Sequence, residues 1–171
     1  MSKFKNIYRI ESSRLPSWDY RNGGYYYITI VTKGHRNYFG EVKDGRVVLN
    51  EYGKIVESEW INCKILRKNV DLDEWIIMPN HFHGILIIEE DKIFEDEDIK
   101  SRLLKDSLGS IIGQFKSKCT KKIRSLGATE FQWQERFYDH IIRNEKSLDK
   151  IRNYIRLNPL KWELDQYYTK F

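Results

Sequence analysis

Two short apolar runs, Trp75-Ile76-Ile77-Met78 and Ile85-Leu86-Ile87-Ile88, stand either side of Pro79-Asn80. Continuous apolar runs of this length suit central strands covered on at least one face, and the turn residues between them predict an antiparallel pair. Other elements must then be found to cover that pair. Tyr25-Tyr26-Tyr27-Ile28-Thr29-Ile30-Val31-Thr32 is dense in aromatic and β-branched residues and reads as a strand. Ile55, Val56, Trp60, Cys63, Leu66 and Val70 recur at helical spacing, predicting a long helix between Glu51 and Asn69.

Ser107 can cap a second helix with Leu108, Ile111, Ile112, Phe115, Cys119 and Ile123 on its apolar side, and Gly127 can end it. Glu135 to Arg143 alternates as a strand would. A last helix runs from Asn144, a good cap, towards Pro159, which disfavours helical geometry just before it. The order strand, helix, strand, strand, helix, strand predicts an α+β domain: a ferredoxin-like split βαβ antiparallel sheet with helices on one face and a further helix at its C-terminal end. Residues 1–22, polar and interrupted by Pro16, read as a basic N-terminal arm without regular structure; 23–171 read as one domain. Tyr38 to Asn50, with Asp44-Gly45 between two short runs, reads as an inserted hairpin.

Charge narrows the class of partner. The net charge is +5, but Glu89 to Asp98 holds seven acids and one base, so the other residues carry 29 bases against 18 acids, a net +11. The acidic segment is expected to be a solvated loop. A basic chain with 14% aromatic residues suits phosphate contacts and base stacking, with Tyr25, Tyr26 and Tyr27 as candidate stackers and at least one of them in the core. Charge alone equally fits a basic protein with scattered lysines. No apolar run approaches the roughly 18 residues of a membrane span, and Cys63 and Cys119 form neither a disulfide framework nor a zinc ribbon. A cytoplasmic protein with reduced thiols and no membrane partner is expected.

His81 and His83 lie two apart on a predicted strand, so both imidazoles emerge on one side, beside a turn, where a metal could take both. Two hydrogen-bonded histidines packed on a sheet would fit the same pattern. On the last helix Tyr154 and Asn158 are four apart and share one edge. If that helix covers the histidine face, Asn158 could complete a metal's ligands while Tyr154 attacks phosphorus; alternatively, Tyr154 packs and Asn158 caps. Lys116, Lys118, Lys121 and Lys122 on the second helix, and Arg143, Arg152 and Arg156 near the last, are candidate phosphate contacts or ordinary solvated charges.

Three blocks sharpen the choice: Met78-Pro79-Asn80-His81-Phe82-His83-Gly84, then Trp133 through Asn144, then Asn153-Tyr154-Ile155-Arg156-Leu157-Asn158-Pro159. Together they resemble the signature of the REP-associated tyrosine transposases, a branch of the HUH single-tyrosine transposases. By position the resemblance implies His81 and His83 as metal ligands, Asn158 as a further ligand and Tyr154, on the C-terminal helix, as the nucleophile. It also implies Mg2+ or Mn2+ and single-stranded DNA beside a hairpin, cleaved to a 5′-phosphotyrosine and a free 3′-hydroxyl and then rejoined. Zinc is compatible with the same donors. Tyr138 is a rival tyrosine that matches no catalytic position, and His140 is left out of the metal set. A non-catalytic nucleic-acid-binding module and a water-using nuclease are the competing classes. The short link before the last helix favours a monomer, with Tyr154 acting in cis.

Overall fold

The computed structural model describes residues 3–4, 7–8, 23–89 and 107–169. Strands β1 (Lys3–Phe4) and β2 (Ile7–Tyr8) pair antiparallel, so the arm is not wholly irregular. Phe4, Ile7 and Tyr8 favour strands and flank a two-residue link, a signal too short to stand out in sequence. The acidic segment beyond Glu89 lies outside the described residues.

The main sheet is formed by β3 (Gly24–Val31), β6 (Val70–Ile77), β7 (His81–Ile88) and β8 (Tyr138–Ile142) in the order β6-β7-β3-β8, all antiparallel. β3 and β6 are joined by helix α1 (Glu51–Ile65) yet lie apart, with β7 between them. That is the split βαβ arrangement.

One face carries Tyr26, Ile28 and Ile30 of β3 with Phe82, Leu86 and Ile88 of β7. They pack against Val56, Trp60 and Cys63 of α1 and against the apolar side of α2 (Leu108–Ser125). Gly84 permits this closeness: an added Cβ would lie 2.5 Å from Phe82 Cζ and 2.9 Å from Trp60 Cζ2. Ser107 caps α2 by accepting from Ser110 N, and the left-handed Gly127 follows its end. Both cysteines are buried free thiols, and no helix among the described residues is long and apolar enough to cross a membrane.

The opposite face is covered by α3 (Glu145–Leu157), whose Leu148 and Ile155 bury against Ile85 and Ile142. Asn144 caps α3 by accepting from Ser147 N at 2.9 Å. A 3-10 segment, Pro159–Leu164, kinked at Lys161, follows. The expected hairpin is present as β4 (Gly40–Lys43) and β5 (Arg46–Leu49), and its tip residues Asp44 and Gly45 both have positive φ, as a two-residue hairpin turn requires.

Two boundaries differ from expectation. Helix α1 ends at Ile65, and Val70, which continued its apolar spacing, instead begins β6. β6 then runs through Asp71, Asp73 and Glu74 because a register shift between Leu72 and Trp75 inserts one extra residue. Such a bulge lets Asp73 and Glu74 both turn to the face covered by α3. β8 starts at Tyr138 rather than Glu135, since the carbonyls of Gln134 and Glu135 accept from Lys116 Nζ.

Candidate active site

His81 and His83 open β7 and point to the α3 side, almost fully buried. Asn80, in the preceding turn, donates through Nδ2 to the carbonyls of His35 (2.9 Å) and Tyr167 (2.7 Å). Its donors being taken, its oxygen faces His81 Nδ1 at 2.9 Å, so Nδ1 carries the proton. The lone pair of His81 Nε2 is left free, and that buried atom has no hydrogen-bond partner among the described residues. A histidine oriented through its second nitrogen in this way is prepared to ligate a metal.

His83 is held similarly. Its Nδ1 lies 2.8 Å from Tyr27 Oη and 2.9 Å from Thr29 Oγ1, and its Nε2 faces Tyr154 Oη at 3.4 Å. The rings of His81 and His83 are 4.6 Å apart. Burial pushes the His83 pKa down to about 3. That of His81 is also driven well down, by burial first and then by His83, with the Asn158 amide opposing. Both imidazoles are therefore neutral near pH 7, as metal binding needs.

α3 brings Tyr154 and Asn158 to the same opening. Asn158 is buried, its Oδ1 has no partner among the described residues, and its Nδ2 lies 3.3 Å from Asp165 Oδ2. Asp165 was not anticipated. One ligand atom each from His81, His83 and Asp165 fall within 4.8 Å of one another. Two unpartnered buried donors beside a carboxylate fit a divalent cation. Burial, then the Asp165 carboxylate, raise the Tyr154 pKa above its ordinary value, so the hydroxyl is protonated at neutral pH.

Tyr154 is nevertheless 44% exposed. It borders a cleft of about 470 Å³, lined also by Lys150, Asn153, Leu157, Lys161 and Leu164. Tyr26 is in the core, Tyr27 serves His83, and Tyr25 is partly exposed. Tyr138 is half-exposed and meets Tyr27 edge to face, while His140 is exposed on β8.

The predicted cations fare unequally. Arg152 grips Asp73 with two hydrogen bonds, Nε to Oδ1 at 2.9 Å and Nη2 to Oδ2 at 2.6 Å, and Arg156 pairs with Glu74. These bonds dock α3 on the bulged strand. Lys122 pairs with buried Glu59, and Lys116 holds two carbonyls. Lys118, Lys121 and Arg143 are exposed, the two lysines on the helix across the sheet from the histidines. Asp165 and the cleft lysine Lys161 carried no sequence signal, because they meet the site only through the path of the chain after Pro159; Lys150, one helical turn before Tyr154 on α3, was legible in the helix period and was missed.

Fold and site together define a ferredoxin-like α+β domain with two histidines, a tyrosine and an amide at one opening. No family model matches the chain. An uncharacterised protein of Haemophilus influenzae is 36% identical over 171 residues, covering 95% of both chains. A REP-associated tyrosine transposase of Escherichia coli is 32% identical over 91 residues, 53% of this chain and 45% of that protein. A solved structure of a REP-associated tyrosine transposase bound to a REP hairpin shares the fold, with TM-score 0.51 and 24% identity over 94% of this chain and 74% of that one. The chain belongs to one family with the Haemophilus protein. Its likeness to REP-associated tyrosine transposases, first carried by three sequence blocks, extends to the fold.

Proposed function

We propose that this protein is a metal-dependent endonuclease and strand transferase acting on single-stranded DNA, with Tyr154 as nucleophile and a repeat hairpin beside the cleavage point. The observation that carries the reading is the approach of Tyr154 Oη to His83 Nε2, at 3.4 Å, in the opening where His81 Nε2 and Asn158 Oδ1 stand unpartnered. The cleft adds support. Lys150 and Lys161 line it beside Tyr154, where a phosphate backbone would pass. The hairpin is suggested by the solved relative, which is bound to one.

In the proposed step the Tyr154 oxygen loses its proton and bonds to phosphorus while the bond from phosphorus to the 3′ oxygen breaks. The departing oxygen takes up a proton, leaving a 3′-hydroxyl and a 5′-phosphotyrosine. One phosphodiester replaces another, so attack by a 3′-hydroxyl rejoins a strand without a nucleotide cofactor. Mg2+ or Mn2+ held by His81, His83 and Asn158 would supply positive charge that favours the ionised tyrosine and the transferring phosphate. Asn80, Tyr27 and Thr29 hold the imidazoles in place, and α3 aligns Tyr154 with them.

Trapping tests the reading. Incubated with labelled hairpin oligonucleotide and Mn2+, the parent should form a denaturation-resistant adduct that maps to the Tyr154 peptide. Tyr154→Phe should fold and bind the DNA but form none. An adduct in Tyr154→Phe, or one mapping to Tyr138, moves the nucleophile; cleavage with no adduct at any time points to water instead.

A further inference from the structure

We infer that Asp165, which lies outside all three motif blocks, is an anionic ligand of the metal bound by the histidine pair, so that the segment after Pro159 completes a site α3 leaves unfinished. The inference rests on the metal-dependent reading above. Its basis is geometric: one ligand atom from each of Asp165, His81 and His83 lie within 4.8 Å of one another, beside the unpartnered His81 Nε2 and Asn158 Oδ1.

Asp165 is held firmly. Its Oδ1 accepts from Tyr167 N at 2.7 Å, and its own N donates to Trp162 O at 3.0 Å. Trp162 and Tyr167 flank His81, with ring centroids 5.8 and 4.7 Å away. The carboxylate is thus fixed on both sides by residues already packed on the histidine. Its Oδ2 also accepts from Asn158 Nδ2 at 3.3 Å, which leaves the Asn158 oxygen free to face the metal as a ligand.

Charge gives the reason for a carboxylate here. Two neutral imidazoles and an amide supply no negative charge, so before DNA binds a divalent cation here would have no charged protein ligand. One carboxylate halves the cation's charge and adds a hard oxygen, a donor type that suits Mg2+ and Mn2+. The competing role is a local one, since an aspartate accepting from the backbone N–H two residues on is a common turn former.

Substitution separates the two. Asp165→Asn keeps the size and the turn acceptor but removes the charge; Asp165→Glu keeps the charge on a longer arm. Mn2+ binding to the full chain is measured from the resonance of free Mn2+, with metal-free melting curves as a check on folding and His81→Ala as the reference for a lost ligand. Asp165→Asn should weaken Mn2+ binding by at least about tenfold, while Asp165→Glu should retain more of the affinity. Binding by Asp165→Asn within about twofold of the parent, a difference of some 0.4 kcal/mol, would overturn the inference. That result together with weakening by Asp165→Glu would mark a turn former, since Asn keeps the turn acceptor and the longer Glu displaces it. A parent that takes up no Mn2+ would instead sink the metal reading itself.

Discussion

Tyr154 Oη lies 3.4 Å from His83 Nε2 within one chain, although the two residues are 71 positions apart. The contact is made because α3 leaves β8 after only Arg143 and Asn144 and folds directly onto the face where β7 presents its histidines. So short a link leaves little room for α3 to reach another copy. We therefore expect a monomer acting in cis: mixing Tyr154→Phe with His81→Ala protein should not restore the DNA adduct. Recovery on mixing would mean that sites are assembled from two chains.

Docking of α3 should depend on Arg152. Its bonds to Asp73 join the helix that carries Tyr154 to the bulge in β6, and Asp73 is only 13% exposed. Arg152→Ala should lower stability by about 1–2 kcal/mol, the partial exposure of the arginine reducing what a charged pair would otherwise contribute. Because Tyr154 lies two residues on in the same helix, adduct formation should slow while Mn2+ binding at the histidines persists. Urea denaturation and single-turnover trapping measure the two effects; an unchanged adduct rate would show that α3 needs no such clamp.

Acid should destabilise the metal-free protein through its buried histidines. His83 titrates near 3 in the fold and near 6.5 when unfolded. Between those values the unfolded chain holds a proton that the native state does not, so stability is full above about pH 6.5 and declines as pH falls. The slope reaches up to about 1.4 kcal/mol per pH unit for one such group. Urea titrations at several pH values should show a shallower decline for His83→Gln than for the parent; identical pH dependence would refute the assignment.

The lysines that meet DNA should be those in the cleft beside Tyr154. Each phosphate contact removed lowers the salt dependence of binding by about one unit of slope. Lys150→Ala with Lys161→Ala should weaken hairpin-DNA binding and flatten its salt dependence. Lys118→Ala with Lys121→Ala, across the sheet, should change it less. The reverse ranking would place the DNA path over α2.

Much of this architecture was legible locally. The caps Ser107 and Asn144, the Asp44-Gly45 turn and the aromatic and β-branched run of β3 each act within a few residues, so their signals are short and strong in the sequence. The shared side of His81 and His83 and the shared edge of Tyr154 and Asn158 follow from the strand and helix periods alone. Nothing local shows what lies across from a side chain. The bulge that turns Asp73 and Glu74 towards α3, and thereby occupies Arg152 and Arg156, arises from pairing between strands. Asp165 reaches the histidines only because Trp162 and Tyr167 pack around His81 after the chain turns at Pro159. Sequence alone thus determined the elements and which of their residues share a side. Tertiary structure decided which charges are neutralised and which carboxylate stands beside the histidine pair, because both depend on distances through space rather than along the chain.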